Sequence, residues 1–296
     1  MHSLTGLVRT MRPKQWSKNL LFVFPAIVFD GQLFNIGAFS RVFAAFVLLC
    51  MISGTVYIIN DLVDIESDRN HPRKRKRPLP SGQLPVNIAK IATVVIPIFS
   101  LFVSILFSWQ LTLVLICYLG LQIFYSFKLK HIVIIDVLTI MIGFILRVIA
   151  GVVVINVENF SPWLYACSGL LALFLIIGKR RQELIIQGDN AVNTREIFKS
   201  YNLPLLDDML RVVTTGTLIT YTLYTIEVET KIGENLALLT VPFVLYGLFR
   251  YLYLIHVQGE GSAPDEVLLK DRPLQATLVL FALTYIIILY ALPEFQ

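Results

Sequence analysis

The sequence predicts an all-α, polytopic membrane protein with nine transmembrane helices, and three observations carry that prediction. Hydrophobic residues make up 56% of the 296 and charged residues only 15%, whereas a soluble domain carries about 25% charged. The apolar residues fall in runs long enough to cross a bilayer, which takes about 20 each. Lys and Arg collect in alternate loops between those runs, the pattern of loops retained on the cytosolic side.

In chain order, the spans read at 20–36, 40–60, 87–107, 109–127, 134–155, 162–178, 207–228, 235–255 and 273–292. The arm before the first holds Arg9, Arg12, Lys14 and Lys18, and the 61–86 loop holds Arg69 and the run Arg73 to Arg77. Lys128 and Lys130 follow span four; Lys179, Arg180, Arg181, Arg195 and Lys199 follow span six; Lys270 and Arg272 precede span nine. The opposite loops offer only Lys231. The N-terminus is therefore expected in the cytosol and the C-terminus outside, in the inner (plasma) membrane.

Other architectures fit less well. A transmembrane barrel shows alternating segments of about ten residues, and a soluble helical protein of this length lacks the interior to hide so much apolar surface. The basic arm runs into a full span with no small-residue cleavage site, so no cleavable signal peptide is expected. Cys50, Cys117 and Cys167 sit in apolar runs without metal or redox spacing and read as small hydrophobes. No zinc motif, P-loop or Ser/His/Asp pattern is present. The pI near 9.1 suits loops facing anionic lipid and anionic substrates and calls for no nucleic acid. A single domain, 1–296, is expected, with 61–86 as its active-site loop.

The most informative stretch runs from Asn60-Asp61 through Asp64 and Asp68 to Arg77-Pro-Leu-Pro-Ser-Gly82. On a helix, Asp61, Asp64 and Asp68 are spaced i, i+3, i+7 and share a face. Carboxylates so close repel unless a cation lies between them. Magnesium characteristically takes one or two carboxylates together with substrate phosphates. The basic run that follows, including Arg75 and Arg77, suits a polyanion whose charge the metal only partly cancels. The plain alternative is a solvated helix end followed by an ordinary positive-inside loop.

A second cluster is expected on the same side. Span four ends at Tyr125 with Lys128, Lys130 and His131 beyond it, and span five opens with Asp136. Arg147 lies three turns deeper on nearly the same face, about 16 Å along the axis. A midspan arginine costs at least about 2.5–3.5 kcal/mol to insert, so it has a partner or an anion. Gly143 and Gly151 share its stripe and admit a close neighbouring helix. Glu183 stands i+4 from Lys179 and i+3 from Arg180, which is helix ion-pair spacing. Lys130, Lys179 and Arg180 are placed for an anionic lipid head, and Tyr125 either belongs with them or to an interfacial aromatic belt.

The Asn60-Asp61-x-x-Asp64-x-x-x-Asp68 pattern and the Arg77-to-Gly82 segment resemble the first Asp-rich motif of the UbiA prenyltransferase superfamily, and the nine-span count agrees. Within it the resemblance is to the decaprenyl-phosphate phosphoribosyltransferases, over nearly the whole chain. It is carried by Arg12-Pro-Lys14-Gln-Trp16-Ser-Lys18-Asn19, His71-Pro-x-Lys74-Arg75-x-Arg77-Pro78, Gly178-Lys179-Arg180-x-x-Glu183-Leu184 and Lys270-Asp271-Arg272-Pro-Leu-Gln275. Ordinary UbiA enzymes have a second Asp-rich loop after span six. Here Lys179-Arg180-Arg181-Gln-Glu183 stands there instead, which disfavours a prenyl-diphosphate donor held by a second magnesium cluster.

The resemblance implies a magnesium-dependent transfer of 5-phosphoribosyl from phosphoribosyl diphosphate to a polyprenyl phosphate, with diphosphate released. The lipid product would feed arabinofuranosyl or ribosyl donors for cell wall synthesis. It implies magnesium at Asp61, Asp64 and Asp68, the donor positioned by Asn60, and the departing diphosphate met by Lys18, Arg75 and Arg77. The acceptor phosphate would lie near Tyr125, Lys130, Lys179 and Arg180. Three rivals remain: prenyl transfer to an aromatic or other small acceptor, a transporter, and a non-catalytic scaffold. A transporter would carry midplane charges in internal repeats; here the acids cluster at one end.

Overall fold

The computed structural model describes residues 2–70, 74–157, 160–187, 196–228, 235–259, 267 and 270–291. His71, Pro72 and Arg73 of the basic run, and Asp265 and Glu266 of the 256–272 loop, lie outside the described residues. Among the described residues every regular element is helical, with no strand. The chain forms two compact units: Met1–Lys128 with Ile145–Glu158, and Leu129–Phe144 with Asn159–Gln296.

The first unit begins with α1 (His2–Thr10), α2 (Ser17–Val23) and α3 (Pro25–Phe29), followed by the long α4 (Ile36–Val63) and the short α5 (Ile65–Asn70). After a basic turn come α6 (Val86–Phe107) and α7 (Trp109–Phe127). Helix α4 is central and packs against α1, α2, α6 and α7. The Asn35 side chain accepts from the Ala38 amide at 3.1 Å, which starts α4 as an N-cap. With 28 residues, α4 exceeds the roughly 20 a span requires and carries Asn60 and Asp61 in its final turn. Small residues let the N-terminal arm dock on it: a Cβ on Gly54 would lie 2.6 Å from Met11 Cε.

Helix α8 (Ile135–Val154) starts in the second unit and ends in the first. The glycine stripe expected along it packs closely at Gly151, where a Cβ would stand 2.2 Å from the Val23 carbonyl oxygen. Because that neighbour is backbone, it has little freedom to yield. Gly151→Ala is expected to cost at least the ~1–3 kcal/mol of an overpacked core, read as a lower unfolding midpoint of the detergent-solubilised protein; an unchanged midpoint would contradict the close approach.

The second unit adds α9 (Pro162–Gln187), α10 (Leu203–Glu227), α11 (Val241–His256) and α12 (Arg272–Ile286). Helix α9 packs along α10, and α11 packs against both α10 and α12. Leu173, Phe174, Ile177, Leu206, Leu210, Tyr251 and Leu254 fill the core between them. Asp271 caps α12 by accepting the Leu274 amide at 2.8 Å while Arg250 grips both its oxygens at 3.2 and 2.8 Å. The hydrogen bond from that guanidinium holds the Asp271 carboxyl below the usual aspartate range.

Seven helices among the described residues are long and apolar enough to cross a membrane: Ile36–Val63, Val86–Phe107, Trp109–Phe127, Ile135–Val154, Pro162–Ile186, Leu236–His256 and Arg272–Ala291. Of the nine expected spans these are seven, and the remaining two are helical but differ from them in length or polarity. The 20–36 run breaks into α2 and α3 at Phe24-Pro25, and the stretch ends at Gly31 with φ 71°, leaving an apolar helix of only Ser17–Phe29. The 207–228 run lies in α10, which has the length, but its first turns carry Asp207, Asp208 and Arg211. A third difference affects the site. Span six was expected to end at 178, yet α9 continues to Gln187, so the Lys179–Glu183 cluster is helical rather than part of a loop.

Candidate active site

The end of α4 gathers opposite charges. Asp64 closes the helix as its C-cap and is exposed, yet the backbone ladder continues through it: the Asp64 amide donates to Asn60 O at 3.0 Å and the Asp68 amide to Asp64 O at 2.8 Å. Asp61 and Asp68 therefore stay two turns apart on one side, and both are buried, at 2% and 1% exposure. The Arg77 guanidinium bridges them, with Nη1 3.2 Å from Asp61 Oδ1 and 2.6 Å from Asp68 Oδ2. Lys74 Nζ lies 3.6 Å from Asp68 Oδ1. Leu79 and Leu84, buried beside Ile58 and Met11, anchor the segment that carries Arg77.

A third cation comes from the N-terminal arm. Arg12 Nη2 donates to Asp61 Oδ1 at 2.8 Å, and the guanidinium lies 4.6 Å from the Tyr57 ring centroid. Arg12 adopts φ 54°, ψ 65° directly before Pro13. A left-handed conformation is uncommon for a residue with a Cβ, and a following proline restricts it further. The turn aims the arginine at the carboxylate while Met11 holds the arm against α4. Arg12 was read above as one of the basic residues of the arm and as part of the resemblance, and the spacing of the sequence gives it no role at the carboxylates. Its preceding a proline at the mouth of the first span was the available signal.

The other expected donor-side residues are less engaged. Asn60 is half-buried on the last turn of α4, Lys18 is half-buried on α2, and Arg75 is exposed on the turn Lys74–Lys76. Among the described residues, no three His, Cys, Asp or Glu side chains are grouped closely enough to hold a metal ion. The Asp61–Asp68 pair nevertheless fits magnesium by donor chemistry. Its donors are all oxygens, the two carboxylates already converge on one cation, and Asp68 Oδ1 is buried without a hydrogen-bond partner.

Deeper in the first unit, Arg147 finds its expected partners in neutral groups. Its Nε donates to Asn19 Oδ1 at 2.7 Å and its Nη2 to Tyr118 Oη at 2.6 Å. Asn19 Nδ2 in turn donates to Cys50 Sγ and Ser53 Oγ, each at 3.2 Å. The arginine thus ties α2, and through it the arm bearing Lys18 and Arg12, to α7 and α8. Tyr125, near the end of α7, is half-buried.

The second unit holds a separate charged network. Asp136 is fully buried, with Arg180 Nε 3.3 Å from its Oδ2 and the Tyr201 hydroxyl donating to its Oδ1 at 2.7 Å. Arg180 Nη1 reaches Glu183 Oε2 at 3.1 Å, and Lys179 Nζ lies 4.0 Å from Glu183 Oε1, so both expected helix pairs form. Arg180, expected at a lipid head, is only 4% exposed and points into this network. Lys130 and Lys179 are partly exposed. Burial, and then the bond to Asp136, push the Tyr201 phenol above its ordinary value, so it stays a proton donor throughout the neutral range. The Tyr201 contact joins positions 65 residues apart, which no local pattern reveals.

Several long apolar helices, the longest of them ending in buried carboxylates held by arginines, define a multi-pass helical membrane protein with a charged site at a helix end. The chain belongs to the UbiA prenyltransferase family, whose profile matches residues 19–267, and it is a transferase of that family. It is 31% identical over 296 residues to a decaprenyl-phosphate phosphoribosyltransferase of Corynebacterium glutamicum, covering 98% of this chain and 88% of that one. The enzyme of the same name from Mycobacterium tuberculosis is 30% identical over 276 residues, covering 92% and 90%. A UbiA homolog from Archaeoglobus fulgidus bound to GPP and Mg2+ shares the fold, with a TM-score of 0.72 at 18% identity over 96% of this chain and 99% of that one.

Proposed function

We propose that the chain transfers 5-phosphoribosyl from phosphoribosyl diphosphate to a polyprenyl phosphate of the decaprenyl type, with magnesium, at the cytosolic face of the plasma membrane. The observation that carries this reading is the buried Asp61–Asp68 pair ringed by Arg12, Lys74 and Arg77. Such a group suits a metal-bound polyanion better than a neutral substrate. The relatives' shared name supplies the transferred phosphoribosyl group and the lipid phosphate acceptor. The cationic end of α9, where ordinary family members carry acids, supports a donor other than a prenyl diphosphate.

In this reading Asp61 and Asp68 would hold the magnesium, with exposed Asp64 turning in from the same helix end once donor and ion are bound, and the ion would supply Lewis-acid neutralisation of the diphosphate. Asn60 orients the donor, and Lys18, Arg75, Arg77 and Arg12 stabilise the charge that grows on the leaving group. The bond from the anomeric carbon to the diphosphate oxygen breaks, and the diphosphate leaves with the electron pair. A new bond forms from that carbon to an oxygen of the lipid phosphate. That oxygen is already anionic, so no general base is required. Tyr125, Lys130 and Lys179 serve the acceptor phosphate. Arg180, buried between Asp136 and Glu183, fixes Glu183 and hence Lys179.

Diphosphate release separates this reading from prenyl transfer. Purified protein with magnesium is expected to release diphosphate when given phosphoribosyl diphosphate together with polyprenyl phosphate, and not when either is omitted. Release from geranylgeranyl diphosphate with an aromatic acceptor, and none from the first pair, would overturn it in favour of prenyl transfer.

A further inference from the structure

The turn that presents Lys130 has an unusual backbone. It runs from Lys128 through the 3-10 turn Leu129–His131 to Ile134, which has φ 68°. A β-branched residue almost never enters that left-handed region, and it stays there only where surrounding contacts over-determine it. Ile134 is 45% exposed, so side-chain packing does not hold it. Two hydrogen bonds do: its carbonyl accepts the Leu138 amide at 3.0 Å as α8 begins, and its amide donates to the Tyr201 hydroxyl oxygen at 2.9 Å. The Tyr201 hydroxyl in turn donates a hydrogen bond to Asp136 Oδ1 at 2.7 Å.

Tyr201 is well placed for this. Ile197 and Phe198, 5% and 3% exposed, pin the segment ahead of it in the core of the second unit, and the turn Glu196–Lys199 packs against the turn Leu129–His131. From Asp136 the contacts continue through Arg180 to Glu183 and Lys179. One hydroxyl therefore stands at the junction of the turn that carries Lys130 and the ion-pair chain that ends on Lys179.

We propose that Tyr201 is a positioning residue for the acceptor phosphate: its hydroxyl, bonded at once to the Ile134 amide and the Asp136 carboxylate, sets where Lys130 and Lys179 stand. The inference rests on the assignment of those two lysines to the lipid phosphate. Without the hydroxyl, Ile134 keeps its carbonyl bond to the Leu138 amide but loses the bond on its own amide, so its left-handed conformation is held less firmly and the Lys130 turn loosens with it. The Asp136 carboxylate is then free to rotate onto Arg180, drawing it from Glu183 and releasing Lys179. The phenyl ring contributes packing alone, which Tyr201→Phe retains.

The test uses the full-length protein in lipid nanodiscs. Tyr201→Phe is expected to raise the KM for polyprenyl phosphate about tenfold, the scale of one hydrogen bond to a charged group. The KM for phosphoribosyl diphosphate should not move, and the amides of residues 132–136 should exchange faster with deuterium. Unchanged exchange in that turn, or both KM values and the thermal midpoint worsening together as for a general structural defect, would overturn the proposal. Faster exchange with an unchanged acceptor KM would overturn the acceptor role. If Lys130→Gln and Lys179→Gln also left that KM unchanged, the assignment of the two lysines, and not the hydroxyl's hold on the turn, would be at fault.

Discussion

Asp61→Asn is expected to lower the transfer rate at least ~1,000-fold, equivalent to about 4 kcal/mol of lost transition-state stabilisation. Asp61 receives Arg12 and Arg77 on a single oxygen, at 2.8 and 3.2 Å, while nearly all its surface is buried. An amide there removes a carboxylate proposed to hold the metal and takes away the negative charge that Arg12 and Arg77 share. The variant should therefore also unfold at a lower temperature and need more magnesium for its residual activity. Asp64→Asn makes the contrast. Asp64 is exposed, so its loss should depress activity and leave the unfolding midpoint where it was. Steady-state rates and melting curves of the two variants side by side check both halves. An Asp61→Asn protein with wild-type rate would remove the site.

The largest expected effect on stability lies at Asn19. Its carbonyl oxygen takes the Arg147 Nε at 2.7 Å in the buried interior of the first unit. Its amide also donates to Cys50 and Ser53. Asn19→Leu leaves a buried cation short of a partner, which costs about 2–4 kcal/mol by the usual scale for hydrogen bonds to charged groups and broken buried charge contacts. Adding Arg147→Leu removes the charge itself, so the double variant is expected to be more stable than Asn19→Leu alone. This non-additivity is the signature of direct coupling. Because such proteins unfold irreversibly, the comparison is best made as inactivation half-lives at one temperature. A double variant as weak as the sum of the two singles would contradict the coupling.

Much of this was legible in the amino-acid order, and the parts that were not share a cause. The long apolar runs identify seven helices closely, because a span is defined by local composition. The run at 20–36 forms two helices rather than one, because composition alone does not register that Pro25 opens a new helix and Gly31 ends the stretch. The acidic face showed itself because Asp61 and Asp68 sit two helical turns apart, a distance that sequence spacing encodes. The ion pairs of Glu183 with Lys179 and Arg180 were readable for the same reason. Arg12 on Asp61, Asn19 on Arg147 and Tyr201 on Asp136 bring together residues 49, 128 and 65 positions apart. Those partners are chosen by tertiary packing, and no periodicity records them. Arg180 illustrates the consequence: its position among basic residues suggested a lipid contact, while its partner Asp136, far away in sequence, draws it inward.

The central claim is that the carboxylates at the end of α4 serve phosphoribosyl transfer to a lipid phosphate. The most direct measurement incubates the purified protein with magnesium, polyprenyl phosphate and radiolabelled phosphoribosyl diphosphate, then follows the label into the lipid phase. The account predicts label in lipid from the wild-type protein, abolished by EDTA and by Asp61→Asn or Asp64→Asn. Label that stays in the aqueous phase while a prenyl diphosphate is consumed instead would contradict it.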